Sequence, residues 1–290
     1  MTEQELHDAR RSKWRLDGRP VRTLEEAREF LETVGFCLMY PMKPPVLAPT
    51  FMGAFAGTDE NPLPTSKHAF ADPRAREATE LMVRMLREKT AFEANAFGDT
   101  SFLVAAPLFP YLYGLVGDRH PRREWKPGVK SEYSQLAREA FEAIRNHGKT
   151  SKKQLQELMG GALSEAALDR ALNELWSRLR ITRVDYTAGE GASWDALYRW
   201  APQPVQRGIN LSVQEALSAL LSKYLDAVVA AEPSEAEGFF GRLVPKSRVK
   251  EAINALLAAR ELAFVTVGKR TMVQVAAKRE TTLKVPRRRA

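Results

Sequence analysis

Four acidic side chains stand where a carboxylate could meet a substrate. Asp59 and Glu60 lie in a stretch rich in Gly, Asp, Asn, Pro and Ser, and Glu93 and Asp99 come just before an almost wholly apolar run. A positioned carboxylate can activate water or stabilise positive charge developing on a sugar. The same positions also suit turns and caps, so the residue types alone leave both readings open. The lone cysteine, Cys37, has no histidine near it in sequence, and its neighbours Phe36, Leu38 and Met39 suit a core position better than a nucleophile's.

A second set of residues could bind rather than react. Arg170, Asn173 and Arg178 fall on one helical stretch, while Lys246, Ser247, Arg248, Lys250 and Asn254 fall on another, followed by Lys269 and Arg270. Arg, Lys, Asn and Ser are the side chains that contact phosphates and base edges. Each charge taken singly also suits a solvated helix surface. No metal or cofactor is expected: one cysteine and four scattered histidines lack ligand spacing, and no GxxxxGK, GxGxxG or CxxC occurs.

These residues need elements to hold them. The chain is polar to about Thr23, where Thr23 and Glu26 form a capping-box signature that predicts a helix from Leu24 to Val34. Pro41, Pro44, Pro45 and Pro49 forbid a continuous helix after it. Asp72 and Pro73 open a long amphipathic helix over ADPRAREATELMVRMLREKTAFEA, with Ala78, Leu81, Met82, Met85 and Leu86 on one face. The apolar segment from Ser101 to Gly117 contains two prolines and is too short to span a bilayer, so it is expected to be core.

Beyond a basic linker at residues 118–130, a pattern repeats: long helix, short helix, third helix, two strand-like runs. The first copy reads YSQLAREAFEAIRNHG, SKKQLQELMG and LSEAALDRALNELWSRL, then ITRVDYT and ALYRWA as strands. The second reads LSVQEALSALLSKYLDAVVA, SEAEGFFGRL and SRVKEAINALLAARE, then LAFVTV and TMVQVA. Helix, helix, helix and hairpin is the pattern of winged helix-turn-helix modules, in which the third helix can enter the major groove. The second copy is the stronger DNA-binding candidate because its third helix opens with cations, although the acidic stretch from Glu232 to Glu237 would repel a phosphate backbone.

The 290 residues carry 44 Lys and Arg against 36 Asp and Glu, a net charge of +8 that favours a polyanionic partner. The last thirteen residues hold six basic side chains and one acid, which adds salt-dependent affinity for DNA if this tail lies near it. The charged N-terminus MTEQELHDARRSKWR and the absence of a long apolar stretch lead to the expectation of a soluble cytoplasmic, nucleoid-associated protein of bacterial type.

Several stretches resemble the AlkZ-like (YcaQ-type) DNA glycosylase family: REFLETVGFCLMYPMKPPVLAPTFMGAF, FEANAFGDTSFLVAAPLFPYL, and the double module that begins at AFEAIRNHGKTSKKQLQELM. The resemblance implies tandem winged helices around a concave basic surface, and hydrolysis of the N-glycosidic bond of alkylated or crosslinked purines. It also places that family's catalytic motif, a Gln, an apolar residue and then Gln or Asp, at Cys37, Leu38 and Met39. A thiol and a thioether cannot do the work of those polar groups.

The expectation is therefore a mainly α fold with small β-hairpins (α+β) and tandem winged helix-turn-helix modules. An N-terminal helical, winged-helix-like domain would occupy 1–125, winged-helix modules 126–205 and 206–277, and a basic tail 278–290. The function expected is double-stranded DNA binding in damage recognition or repair. The alternatives are an active glycosylase with a displaced carboxylate, or a transcriptional regulator without catalysis.

Overall fold

The computed structural model describes residues 1–59, 63–65, 72–95, 101–125, 132–161, 163–187 and 189–277. It is mainly α with small antiparallel sheets, and one topology occurs three times. In the first unit, α2 (Leu24–Val34), β1 (Phe36–Leu38), α3 (Phe51–Ala56), α4 (Pro73–Arg87), β2 (Ala91–Ala94) and β3 (Phe102–Ala105) follow an N-terminal α1 (Glu3–Lys13). Its strands lie in the order β1-β3-β2. A helix α5 (Phe109–Val116) leads out of it.

The second unit repeats the order with α6 (Gln135–His147), β4 (Thr150–Ser151), α7 (Lys152–Leu158), α8 (Glu165–Ser177), β5 (Ile181–Thr187) and β6 (Gly191–Ala196). Its strand order, β4-β6-β5, is the same. Short helices α9 (Leu197–Trp200) and α10 (Pro202–Asn210) connect to the third unit. That unit comprises α11 (Val213–Val228), α12 (Pro233–Phe240), α13 (Lys246–Ala258) and the hairpin β7 (Leu262–Val267) and β8 (Arg270–Val275). A single bridge from Ala231 to Val273 stands where the other units have their short first strand.

Local chemistry accounts for the boundaries. The Thr23 hydroxyl accepts from the Glu26 amide and the Glu26 carboxylate accepts in return, and Gly35 at φ 78 ends the helix. Helix α1 has the same device in Thr2 and Glu5, a signal present in the sequence and easily overlooked in its polar composition. The helix expected through AFEA stops at Arg87, because Lys89 at φ 57 turns the chain and frees Ala91–Ala94 to pair with β3. The run ALYRWA is likewise not a strand. The strand is Gly191–Ala196, and Leu197–Trp200 forms a helical turn.

The first sheet is buried on both faces, which is why its strands lack polar alternation. Cys37, Ala91, Leu103 and Ala105 point towards the helices of their own unit. Phe36, Leu38, Phe92, Phe102 and Val104 point the other way and share a core with Leu221, Tyr224, Phe239 and Phe240 of the third unit. Phe239 stacks on Phe36 and Tyr224 with centroids 5.8 and 4.8 Å away.

The second unit has a core of its own, built on Phe141, Ile144, Leu168, Leu172, Leu175, Trp176 and Trp194. Its buried Arg180 holds the linker by bonding Asp118 (2.7 Å) and the carbonyls of Pro121 and Arg123, with its guanidinium over Trp125 and Phe141. Gly114 and Gly208 let α5 and α10 touch. A Cβ on Gly208 would meet the Pro110 carbonyl oxygen at 2.7 Å.

Candidate nucleic-acid interface

Helix α13 separates its residues by face. Val249, Ala252, Ile253 and Leu256 are buried, whereas Lys246, Ser247, Arg248, Lys250 and Asn254 are all exposed. Arg248 lies 3.7 Å from Glu251 with both side chains about two-thirds exposed, a pair too solvated to withhold the guanidinium from a ligand. Gly268 at φ 59 turns the hairpin and leaves Lys269 exposed at its tip. Arg270 is engaged within the molecule, 3.6 Å from both Glu3 and Glu232. Part of the acidity at the start of α12 is thus neutralised internally.

On α8, the corresponding helix of the second unit, Arg170 and Asn173 are exposed and Arg178 caps the C-terminus. Asn173 accepts a hydrogen bond from the Asn95 amide at the end of β2 (3.1 Å), which ties this surface to the first unit. Arg178 lies 3.6 Å from Glu132, both side chains mostly exposed.

The residues that the resemblance sets at the family's catalytic motif are core residues. Cys37 is fully buried, and Leu38 and Met39 are each 1% exposed. Burial pushes the Cys37 thiol far above its ordinary range, against the smaller opposing effect of a hydrogen bond with the Phe51 backbone. No thiolate is available there at neutral pH.

The four acids separate sharply. Asp59 forms an ion pair with Arg11 (2.8 Å) on the surface of the first unit, and Glu60 and Asp99 lie outside the described residues. Glu93, on β2, is wholly buried. One of its carboxylate oxygens receives Nη1 of Arg183 at 3.1 Å, and the other has no hydrogen-bond partner. Its backbone oxygen accepts from Trp176 Nε1 (3.1 Å) and Thr182 Oγ1 (3.3 Å). The Arg183 guanidinium lies over the rings of Trp176 and Trp194, 4.7 and 5.4 Å from their centroids.

Cys37, Leu103 and Glu93 occupy one row across the three strands and therefore share a face. The carboxylate thus springs from the same face as Cys37, two strands or about 10 Å away.

Arg183, Trp176 and Trp194 are the members of this cluster that sequence reasoning missed. The signal is the pair Arg183 and Asp185 within the strand ITRVDYT. Asp185 receives Arg87 Nε and Lys149 Nζ, each at 2.7 Å, and so joins α4 of the first unit to the second. Among the described residues no His, Cys, Asp and Glu side chains gather into a metal-binding group, and no helix is long and apolar enough to cross a membrane.

The sequence matches the family described as "DNA glycosylase AlkZ-like" over residues 62–290. No curated protein matches it. Among solved structures, the Streptomyces sahachiroi DNA glycosylase AlkZ superposes with a TM-score of 0.59 at 13% sequence identity, over 95% of this chain and 70% of that one. At that identity the likeness is one of fold.

Proposed function

The chain belongs to the AlkZ-like DNA glycosylase family, and from that premise we propose that it binds double-stranded DNA through winged-helix modules and acts in the recognition or repair of damaged DNA. The observation that carries this reading is α13, the third helix of its unit. Its outward face bears Lys246, Ser247, Arg248, Lys250 and Asn254 above a buried apolar stripe. A helix held by two others with such a face suits the major groove, where cations contact phosphates and Asn or Ser can meet base edges. Lys269 extends the cationic surface to the hairpin tip.

Glu93 favours a second reading, in which N-glycosidic hydrolysis persists with a carboxylate moved across the sheet. It has an unpartnered oxygen and lies on the same face as Cys37, where the resemblance sets the family's motif, and a carboxylate can position water as that motif does. One assay examines both. Protein in molar excess is incubated with a duplex containing an N7-alkylated guanine, and strand breaks are measured after alkali. Breaks that vanish in Glu93→Gln, with DNA binding intact, place the chemistry on Glu93. A shifted duplex without breaks assigns the protein to recognition alone, and a duplex left unshifted overturns the DNA-binding reading.

A further inference from the structure

A cleft of about 460 Å³ lies between the linker that enters the second unit and the helices α9 and α10 that leave it. Arg122 and Arg123 line it from the linker, and Tyr198 and Gln206 line it from α9 and α10, with the buried Pro121 and Val205 as apolar surface between them. The linker backbone is fixed at this point. Arg119 donates to the carbonyls of Gly114 (2.7 Å) and Leu211 (2.8 Å), and the buried Arg180 donates to those of Pro121 (3.0 Å) and Arg123 (2.9 Å), on either side of Arg122.

The acids that flank these residues in the chain are engaged elsewhere. Asp118 accepts from Arg180 (2.7 Å), Glu124 pairs with Arg145 (2.8 Å), and Asp195 pairs with Arg199. Among the described residues no acidic side chain lines the cleft, and no carboxylate pairs with Arg122 or Arg123. The six residues after Trp125, KPGVKS, bring two lysines and no acid. The Arg122 guanidinium lies 5.5 Å from the centroid of the Tyr198 ring, and a guanidinium over an aromatic face keeps its edge donors free for a ligand. The larger groove along α6 differs in its balance of charge, because Glu124, Glu139 and Glu142 there offset Arg138 and Arg145.

We propose that this cleft holds a phosphodiester of DNA, with Arg122 and Arg123 on the phosphate oxygens and the sugar against Pro121 and Val205. The proposal rests on the DNA-binding reading above and adds a contact on the linker, outside α8 and α13. Guanidinium is suited to the role, because its fork of donors matches two oxygens of one phosphate and it stays charged throughout. The Gln206 carboxamide and the Tyr198 hydroxyl add neutral donors. Because the backbone that bears the two arginines is already fixed, little ordering is lost when a phosphate arrives.

The test uses the full chain and a labelled random-sequence duplex. Arg122→Gln/Arg123→Gln replaces two exposed side chains, and circular dichroism checks that the fold is kept. Removing two phosphate-binding cations should lower the slope of log affinity against log salt by about 2 and weaken binding about tenfold near 0.1 M salt. Local contact is read separately, by crosslinking. A duplex whose phosphates carry an activated disulfide tether should form a mixed disulfide with Gln206→Cys, and Cys37 is buried and does not compete. At protein concentrations that saturate the duplex, adding Arg122→Gln/Arg123→Gln to Gln206→Cys should remove most of this crosslink. A wild-type slope in the arginine variant, a slope that falls while Gln206→Cys never crosslinks, or a crosslink that survives the loss of both arginines overturns the cleft and leaves the DNA-binding reading standing. A wild-type protein that ignores the duplex overturns both.

Discussion

At the residue scale, burial pushes Cys37 and Asp185 the same way, and the partners of Asp185 reverse the outcome there. Cys37 lies in an apolar core where desolvation opposes the thiolate. The native protein should therefore resist a thiol reagent at pH 8 over hours and react at once in denaturant. Prompt labelling of the folded protein would show that the strand opens to solvent. For Asp185, burial alone would raise the carboxyl, but hydrogen bonds from Lys149 and Arg87 outweigh it and hold the group below its ordinary value of 3.8. A depressed folded-state value contributes stability that is complete above the ordinary value and is lost as pH falls through the lower one. Asp185→Asn should therefore cost about 1–3 kcal/mol at pH 7, and the difference from wild type should shrink towards zero below pH 3. Urea unfolding at the two pH values measures it, and an equal cost at both would mean the carboxylate's charge is not what matters.

At the element scale, α13 carries the functional argument, and its prediction follows from counterion release. Neutralising Lys246, Arg248 and Lys250 together should lower the salt slope of duplex binding by about 3, roughly 0.9 for each phosphate no longer neutralised. An unchanged slope would remove this helix from the interface.

The legibility of elements divides along similar lines. Helices with a side-chain cap and one apolar face, such as α2, α8 and α11, lie where caps and periodicity place them. The strands of the first sheet are much less legible. FCL, AFEA and FLVA are buried on both faces because α2 to α4 cover one side and the third unit the other, so no polar alternation marks them. For the same reason the threefold repeat is legible only twice from sequence. The exposed polar faces of α8 and α13 could be read from helical spacing. The Glu93, Arg183 and tryptophan cluster could not, because Glu93 lies about 90 residues from Arg183 in the chain.

At the scale of the whole molecule, the shared core couples units at opposite ends of the chain. The third unit supplies Tyr224, Phe239 and Phe240 to a sheet face whose strands begin at Phe36. The first sheet is thus folded against aromatic rings about 200 residues further on. The second unit is joined to it through polar groups, chiefly Glu93 with Arg183 and Asp185 with Arg87, and through Leu179 and Leu197, which enter the shared core, while the rest of its apolar core is its own. Phe239→Ala removes a ring that packs on Phe36, Phe102, Tyr224 and Phe240, which should cost about 3–5 kcal/mol. The effect should appear where sequence distance would not suggest it. Hydrogen exchange should accelerate at the amides of β1 and β3 in the first unit as much as in α11 and α12, while α6 and α8 keep most of their protection. Faster exchange confined to the third unit would mean that the two ends merely touch. Equal acceleration in all three would mean that the molecule unfolds as one body and that the polar junction transmits as much as the aromatic core.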